Sequence, residues 1–391
     1  MTAVGYSVDA ARARFSSLHD GFAFFDAPGG TQVPDEVGDA IAAALRDASG
    51  NLGAPYATGR AVEAILARAK DDAARFLGCT ADEVSFGANM TSLNFALTRA
   101  AGRDFAAGDE LLTTQLDHDG GVAPWVELAA DKGMEVHVAS ATDELTIDYD
   151  DLERQLSERT RVVAFALASN ATGTIADAKR ICALAREAGA ISWVDAVHYA
   201  AHEPVDVQEI GCDVLLCSPY KFCGPHLGMS YVRRELGETW RPYKARPSSS
   251  TPMGRKFETG THPYELLAGF SATIAYLESL GGMAVLRDYE RALGAYLLEQ
   301  LPANVTLYGP PTMEGRVPTF LFNVDGVPAE QVARRLGERG VGLWYGENWY
   351  CVALGPALPP QTLRAGLAHY NTEAEVDRLV AELAALPEPT S

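Results

Sequence analysis

Two hydrophobic periods take turns along this chain. In "RAVEAILARAKDDAARFLG" (60–78), Val62, Ile65, Leu66, Ala69, Ala73 and Phe76 recur three and four apart, which predicts an amphipathic helix that Gly78 closes. Short, almost wholly apolar runs then alternate with such helices. "ADEVSFGA", "DELLTTQLDH", "MEVHVAS", "TRVVAFALAS", "ISWVDAV" and "CDVLLCS" read as strands. "TSLNFALTRAA", "VAPWVELAADKG", "DYDDLERQLSER" and "DAKRICALAREAGA" read as the helices between them. Strands without a polar face need cover on both sides, and intervening helices provide it. The pattern predicts an α/β domain with a largely parallel sheet.

The texture changes after about residue 275. The stretch 273–301 is mostly helical with a break at Gly281-Gly282. "RVPTFLFNV", the helix "PAEQVARRLGERG", "GLWYG", "RAGLAHY" and the helix "TEAEVDRLVAELAAL" follow. These suit a smaller α+β domain. The division expected is a large domain over 24–278 and a small one from 1–23 with 279–391, the boundary falling between 275 and 285.

Composition changes this picture little, and mainly by exclusion. With 391 residues, 47% hydrophobic and 21% charged, the chain suits a soluble two-domain protein. Its 32 basic and 52 acidic residues leave a formal charge of −20, with no cationic excess to neutralise nucleic acid or an anionic membrane. No apolar stretch is long enough to span a bilayer, and the first residues hold no apolar signal core. The six cysteines form no CxxC pair and no cluster with histidine, so they read as reduced thiols of a cytoplasmic protein, and no metal site is expected.

Ligands of a parallel α/β sheet bind beyond the carboxyl ends of its strands. The residues just past the predicted strands are Thr91, Asp117 and His118, Asn170, Asp195 and His198, and Ser218 and Lys221. All are polar, and all follow apolar runs. Lys221 stands between Tyr220 and Phe222; a lysine there is either a solvated strand-end charge or a desolvated, nucleophilic amine able to form a Schiff base. Asp195 either caps the next helix or pairs with a buried cation such as a pyridinium N–H. "ANMTSLN" opens a helix, whose amide groups around Met90 and Thr91 suit a phosphate as well as an ordinary cap. His198 and His202 lie four apart, but Tyr199 and Ala200 stand where a zinc hydrolase of the HExxH type needs its glutamate. A metal-dependent hydrolase using His118, His198 and His202 is the competing class of function.

Together, these stretches resemble the class V branch of fold-type-I pyridoxal phosphate enzymes, and among them the cysteine desulfurase-like proteins and C–S lyases. The resemblance runs from "FFDAPGGTQVPDEV" (24–37) to "HYNTEAEVDRL" (369–379). It implies a mostly parallel sheet of the seven-stranded type, with a smaller C-terminal α+β domain. "VDAVHYAAH" then makes Asp195 the partner of the pyridine nitrogen and puts His198 beside the phenolate oxygen. "SPYKFCGPHLG" makes Lys221 the Schiff-base lysine, with Ser218 and Tyr220 at the phosphate. "ANMTSLN" implies phosphate contacts from Met90 and Thr91, "DHDGGVAPW" implies a His118 ring stacked on the cofactor, and "SNATG" implies Asn170. "FETGTHPYELLAG" implies a homodimer in which Thr261 reaches the neighbouring site. "TLRAGLAHYNT" implies that Arg364 grips the substrate α-carboxylate, a task suited to a permanently charged, bidentate guanidinium.

Departures from the family's pattern bear on the reaction. In "GVGLWYGENWYCVAL" the position expected to carry a desulfurase's mobile cysteine falls near Trp349, and Cys351 sits two residues later. Its aromatic neighbours predict a packed strand rather than a flexible arm. Trp344, Tyr345, Trp349 and Tyr350 are candidates both for core and for a pocket around a bulky S-substituent. The expectation is therefore a lyase cleaving the C–S bond of cysteine or an S-substituted cysteine by β-elimination. A desulfurase using Cys351, an aminotransferase, an epimerase, a decarboxylating enzyme and a catalytically silent relative stand as alternatives.

Overall fold

A computed structural model describes residues 6–246 and 248–386; the extremes of the small-domain assignment, 1–5 and 387–391, lie outside them. Thirteen strands occur among the described residues: β1 (Ala23–Phe24), β2 (Val84–Gly87), β3 (Glu110–Thr114), β4 (Glu135–Ala139), β5 (Thr160–Ala166), β6 (Ile191–Asp195), β7 (Val214–Cys217), β8 (Gly228–Val232), β9 (Val305–Tyr308), β10 (Thr319–Val324), β11 (Val341–Gly342), β12 (Trp344–Gly346) and β13 (Thr362–Gly366).

Seven of them form one sheet in the order β2-β8-β7-β6-β5-β3-β4. The pairs from β7 to β4 are parallel, and β8 is antiparallel to both of its neighbours. The sequence pattern does not single out β8, whose run "GMSYV" is short and begins in glycine. The inner strands are buried for the expected reason: Val162, Val163 and Phe165 of β5 and Val194 of β6 sit between helices on the two faces, whereas the edge strand β4 leaves Val136 and Val138 exposed. The helix Ala57–Leu77 packs its apolar stripe inward and ends at Gly78, whose φ of 72° is a left-handed value open to glycine at little cost.

A second, antiparallel sheet of order β12-β13-β10-β9 packs against the helices Ala329–Glu338 and Glu373–Ala384. Its own core gathers Phe320, Phe322, Leu363, Val332, Leu336, Val376 and Leu379. The predicted break at Gly281-Gly282 separates the helices Tyr264–Ser279 and Met283–Gln300. No single helix among the described residues is long and apolar enough to cross a membrane.

Buried polar bonds stitch the seam between the sheets. Arg316, fully buried, donates to the main-chain oxygens of Thr172, Tyr308 and Pro310. His202 bonds Glu290 at 2.7 Å, and His198 bonds Thr319 on β10 at 2.8 Å. The N-terminal segment joins the same seam. Phe15 lies edge-on to Tyr276, and the Tyr6 hydroxyl donates to the His369 carbonyl. Thus the carboxyl ends of β3, β5, β6 and β7 face the second sheet across a closed junction.

Candidate active site

A small cavity of about 90 Å³ lies at those strand ends. Met90, Thr91, His118, Asn170, Asp195, His198, Ser218, Tyr220 and Lys221 all line it. Nine of the candidate residues, drawn from five separate segments, therefore meet in one place.

Lys221 stands in a short 3-10 turn directly after β7. Its ammonium donates to the Pro28 carbonyl and lies 4.8 Å over the Tyr220 ring. Burial, and then the nearby Arg364 charge, pulls its amine down to about 7; Asp26 and Asp195 oppose the shift. The turn is held in an unusual form. Cys223 adopts a left-handed φ of 65°, a conformation that costs an L-residue about 1–2 kcal/mol, and its N–H donates to Thr31 Oγ1 at 2.7 Å. Cys223 is fully buried, so its part is packing.

Asp195 ends β6 and accepts from the Val197 N–H at 2.9 Å. Burial pushes its carboxyl up to about 6, against the Val197 N–H and the Lys221 charge. His118 caps the helix Asp119–Lys132 by accepting from the Gly120 N–H at 2.9 Å. Burial, then Lys221 and Arg364, pulls its imidazole down to about 4, which keeps the ring neutral at physiological pH. Asn89 caps the helix Met90–Ala101, and Ser218 Oγ accepts from the Met90 N–H at 3.3 Å. Glycines leave room where the chain closes in. A Cβ on Gly121 would come within 2.9 Å of Asp195, and one on Gly228 within 2.3 Å of the Asn89 backbone.

Arg364, on β13 of the second sheet, lies beside the cavity, against its lining residue Asn170, without lining it. It bonds Asp26 at 3.3 Å and the Asn170 carbonyl at 3.1 Å, and its plane lies 4.2 Å over the Trp349 ring. Its buried Nε and the buried Nδ1 of His198 have no partner. An unsatisfied buried donor costs about 1–3 kcal/mol, more for a charged group, so both atoms suit a ligand. The sequence reading does not single out Asp26 as a site residue, although "FAFFDAPGG" places it just past an apolar run, the same signal that marks the others.

Two candidates sit apart. Thr261 lines a different, polar cleft with Lys244, Arg255, Glu258 and His262. Cys351 does not lie on a strand: β12 ends at Gly346, and Asn348, Trp349 and Tyr350 form a left-handed turn with φ of 35°, 57° and 59°. The packed-strand expectation fails because the Trp349 indole is tied to Thr362 Oγ1 at 2.7 Å and its carbonyl to Asn170 Nδ2 at 3.0 Å. The Cys351 thiol is fully buried, 3.2 Å from Asn170 Oδ1, and burial foremost pushes it up to about 12. His198 and His202 meet edge to face at 5.1 Å and turn to different partners.

The Aminotransferase class-V family model matches residues 23–379. The chain belongs to this family. It is 36% identical over 380 residues to a probable cysteine desulfurase 2 of Mycobacterium leprae, covering 92% of this chain and 90% of that one. Its fold matches a cysteine desulfurase from Thermococcus onnurineus with a TM-score of 0.91 at 24% identity, over 98% of both chains. A cystine C–S lyase shares the fold, with a TM-score of 0.84 at 20% identity, over 95% of this chain and 99% of that one. The α/β architecture of a class-V enzyme is thereby shown. The donor set also fits a pyridoxal phosphate: a buried amine, a buried carboxylate, a neutral imidazole and a capped helix start share one cavity.

Proposed function

We propose that the cavity binds pyridoxal phosphate and that the protein cleaves the C–S bond of cysteine or an S-substituted cysteine by β-elimination. The observation that carries this reading is the buried Lys221 amine, brought down to about 7 in the same cavity as the buried Asp195. Lys221 would hold the cofactor covalently, and Asp195 would pair with its ring nitrogen. His118 would lie against the ring, His198 Nδ1 would face its phenolate oxygen, and Met90, Thr91, Ser218 and Tyr220 would surround its phosphate. When bound, the cofactor supplies a sink for the negative charge left at the substrate Cα.

The chain's own residues supply the rest. Arg364 offers its free Nε–H to the α-carboxylate while Asp26 and Asn170 hold the guanidinium in place. Once released to the substrate side, the Lys221 amine, lowered to about 7, has a substantial neutral fraction near neutral pH and can take the Cα proton. The electron pair expels sulfur from Cβ as a thiolate, which takes a proton to leave as thiol or sulfide, and the remaining three-carbon enamine hydrolyses to pyruvate and ammonium. No protein thiol takes part.

Desulfuration through Cys351 is the second reading. It is favoured by the position of the thiol 3.2 Å from Asn170, whose side chain faces the cavity. Burial of that thiol and its high pKa support the elimination reading instead, because a thiolate is the attacking species. We further propose a large domain over 24–278 with the remainder as the small domain, and a homodimer whose Thr261 cleft faces the neighbouring site. Six free cysteines suit a reducing cytoplasm.

The test is product analysis of the pyridoxal phosphate-loaded protein with cysteine and with S-alkyl cysteines. Pyruvate is expected in equal amounts with hydrogen sulfide from cysteine and with the thiol from an S-alkyl cysteine. An amino-acid product without pyruvate would overturn elimination.

A further inference from the structure

The left-handed turn at 348–350 puts an unusual load on three consecutive non-glycine residues. Such backbone costs about 1–3 kcal/mol per residue and persists only where surroundings over-determine it. Here they do. Trp349 is pinned by Thr362, Asn170 and Arg364, and Asn348 Oδ1 accepts from the Tyr350 N–H at 3.1 Å.

The consequence is the placement of Tyr350. Its ring lies nearly parallel to His118, with centroids 5.4 Å apart and planes at 27°, yet it is 70% exposed. Val352 is 61% exposed and Trp344 53%, and Trp344 meets Trp349 edge-on at 6.4 Å. Tyr350 and Val352 are the two most exposed large apolar side chains among the described residues. Apolar surface gathered this way at one place marks a binding surface more often than chance. This lip is continuous with the site: one ring rests on His118, and its neighbour supports Arg364.

We propose that the Trp344–Tyr350–Val352 lip selects substrates whose sulfur carries a bulky apolar, preferably planar, substituent. The inference rests on the C–S cleavage reading, since it takes Arg364 as the anchor of the amino-acid end. A substrate held there extends its β-substituent past Trp349 toward the lip. Cysteine itself has nothing beyond sulfur to cover these rings, whereas an S-aryl or S-benzyl group buries them. Because Tyr350 already stacks on His118, it presents a fixed flat face rather than a flexible one.

The experiment compares S-benzylcysteine with cysteine on the pyridoxal phosphate-loaded protein and its Tyr350→Ala, Tyr350→Phe and Val352→Ala variants. Binding of 3-(benzylthio)propionate, which lacks the reacting amine, is measured alongside. The ratio of kcat/KM for the benzyl substrate to that for cysteine should fall about tenfold in Tyr350→Ala, fall less in Val352→Ala, and hold in Tyr350→Phe. Affinity for the thioether acid should weaken in parallel. A wild-type protein that cleaves both amino acids, with a ratio unmoved by Tyr350→Ala, overturns the lip and leaves C–S cleavage standing. Weakened thioether binding in a protein that cleaves neither amino acid supports the lip and sinks the cleavage reading. An unmoved ratio together with loss of self-association in Tyr350→Ala assigns the lip to a second copy and overturns the proposal.

Discussion

The cavity wall on the large sheet and the small-sheet layer beside it are built by different rules. On the large-sheet side, Lys221, Asp195 and His118 stand at or just past the ends of buried strands; bonds to Gly120 and Val197, two residues on, hold His118 and Asp195, while the Lys221 ammonium also reaches Pro28 in the N-terminal segment. On the small-sheet side, Arg364 and the 348–351 turn depend on partners far along the chain: Asp26, Asn170 and Thr362. The first side carries groups whose proton affinities burial has moved toward neutrality. The second carries a permanent charge, flat rings and a buried thiol. The difference teaches where to look for each property. The strand ends speak to the chemistry, and the small-sheet loop speaks to which amino acid receives it.

The sharpest way to break that division is at Lys221. Lys221→Ala should lower kcat by about a thousandfold or more, within the usual range for a positioned acid–base group. Borohydride treatment should fix pyridoxal phosphate covalently to the wild-type chain and not to the variant, as read by intact mass. Covalent fixation in the variant would place the attachment elsewhere.

Arg364→Ala tests the other side. Loss of a charged hydrogen bond worth about 1.5–3 kcal/mol should raise KM for the amino acid roughly ten- to a hundredfold, with the borohydride-fixed mass unchanged. If KM holds while cofactor fixation fails, the guanidinium belongs to the cofactor side and the division is wrong.

Smaller in size is the pH effect at Lys221. The ordinary amine is protonated up to about pH 10, and burial lowers this one to about 7. Its neutral, nucleophilic form should therefore grow as pH rises through 7 and level off above it. The rate of pyridoxal phosphate uptake by the cofactor-free protein should follow the same curve. The sign for stability agrees: the native state sheds this proton between about 7 and 10 while the unfolded chain keeps it, so this group adds stability as pH rises through that window. An uptake rate still climbing steeply toward pH 10 would mean that the amine is solvated.

The same division explains what could be read from sequence. Lys221, Asp195 and His118 were legible because each stands just past an apolar run, and a parallel sheet turns that local fact into a shared location. Asp26 carries the same mark after "FAFF", but its role depends on Arg364, 338 residues away. The antiparallel β8 was hidden by its short, glycine-led run. The turn at 348–350 was illegible for a stronger reason. Local propensity disfavours three successive left-handed residues, and only the tertiary bonds of Trp349 override it. A strand was the reasonable reading of "LWYGENWYCV", and it misplaces both Tyr350 and Cys351.

Whether a protein thiol takes part decides between elimination and desulfuration, and one substitution tests it. The Cys351→Ala protein, loaded with pyridoxal phosphate, should produce pyruvate from an S-substituted cysteine at the wild-type rate, within about twofold, and the wild-type protein should carry no persulfide on Cys351 by mass spectrometry after incubation with cysteine. A collapse of turnover in Cys351→Ala, with persulfide on the wild-type thiol, would contradict the account.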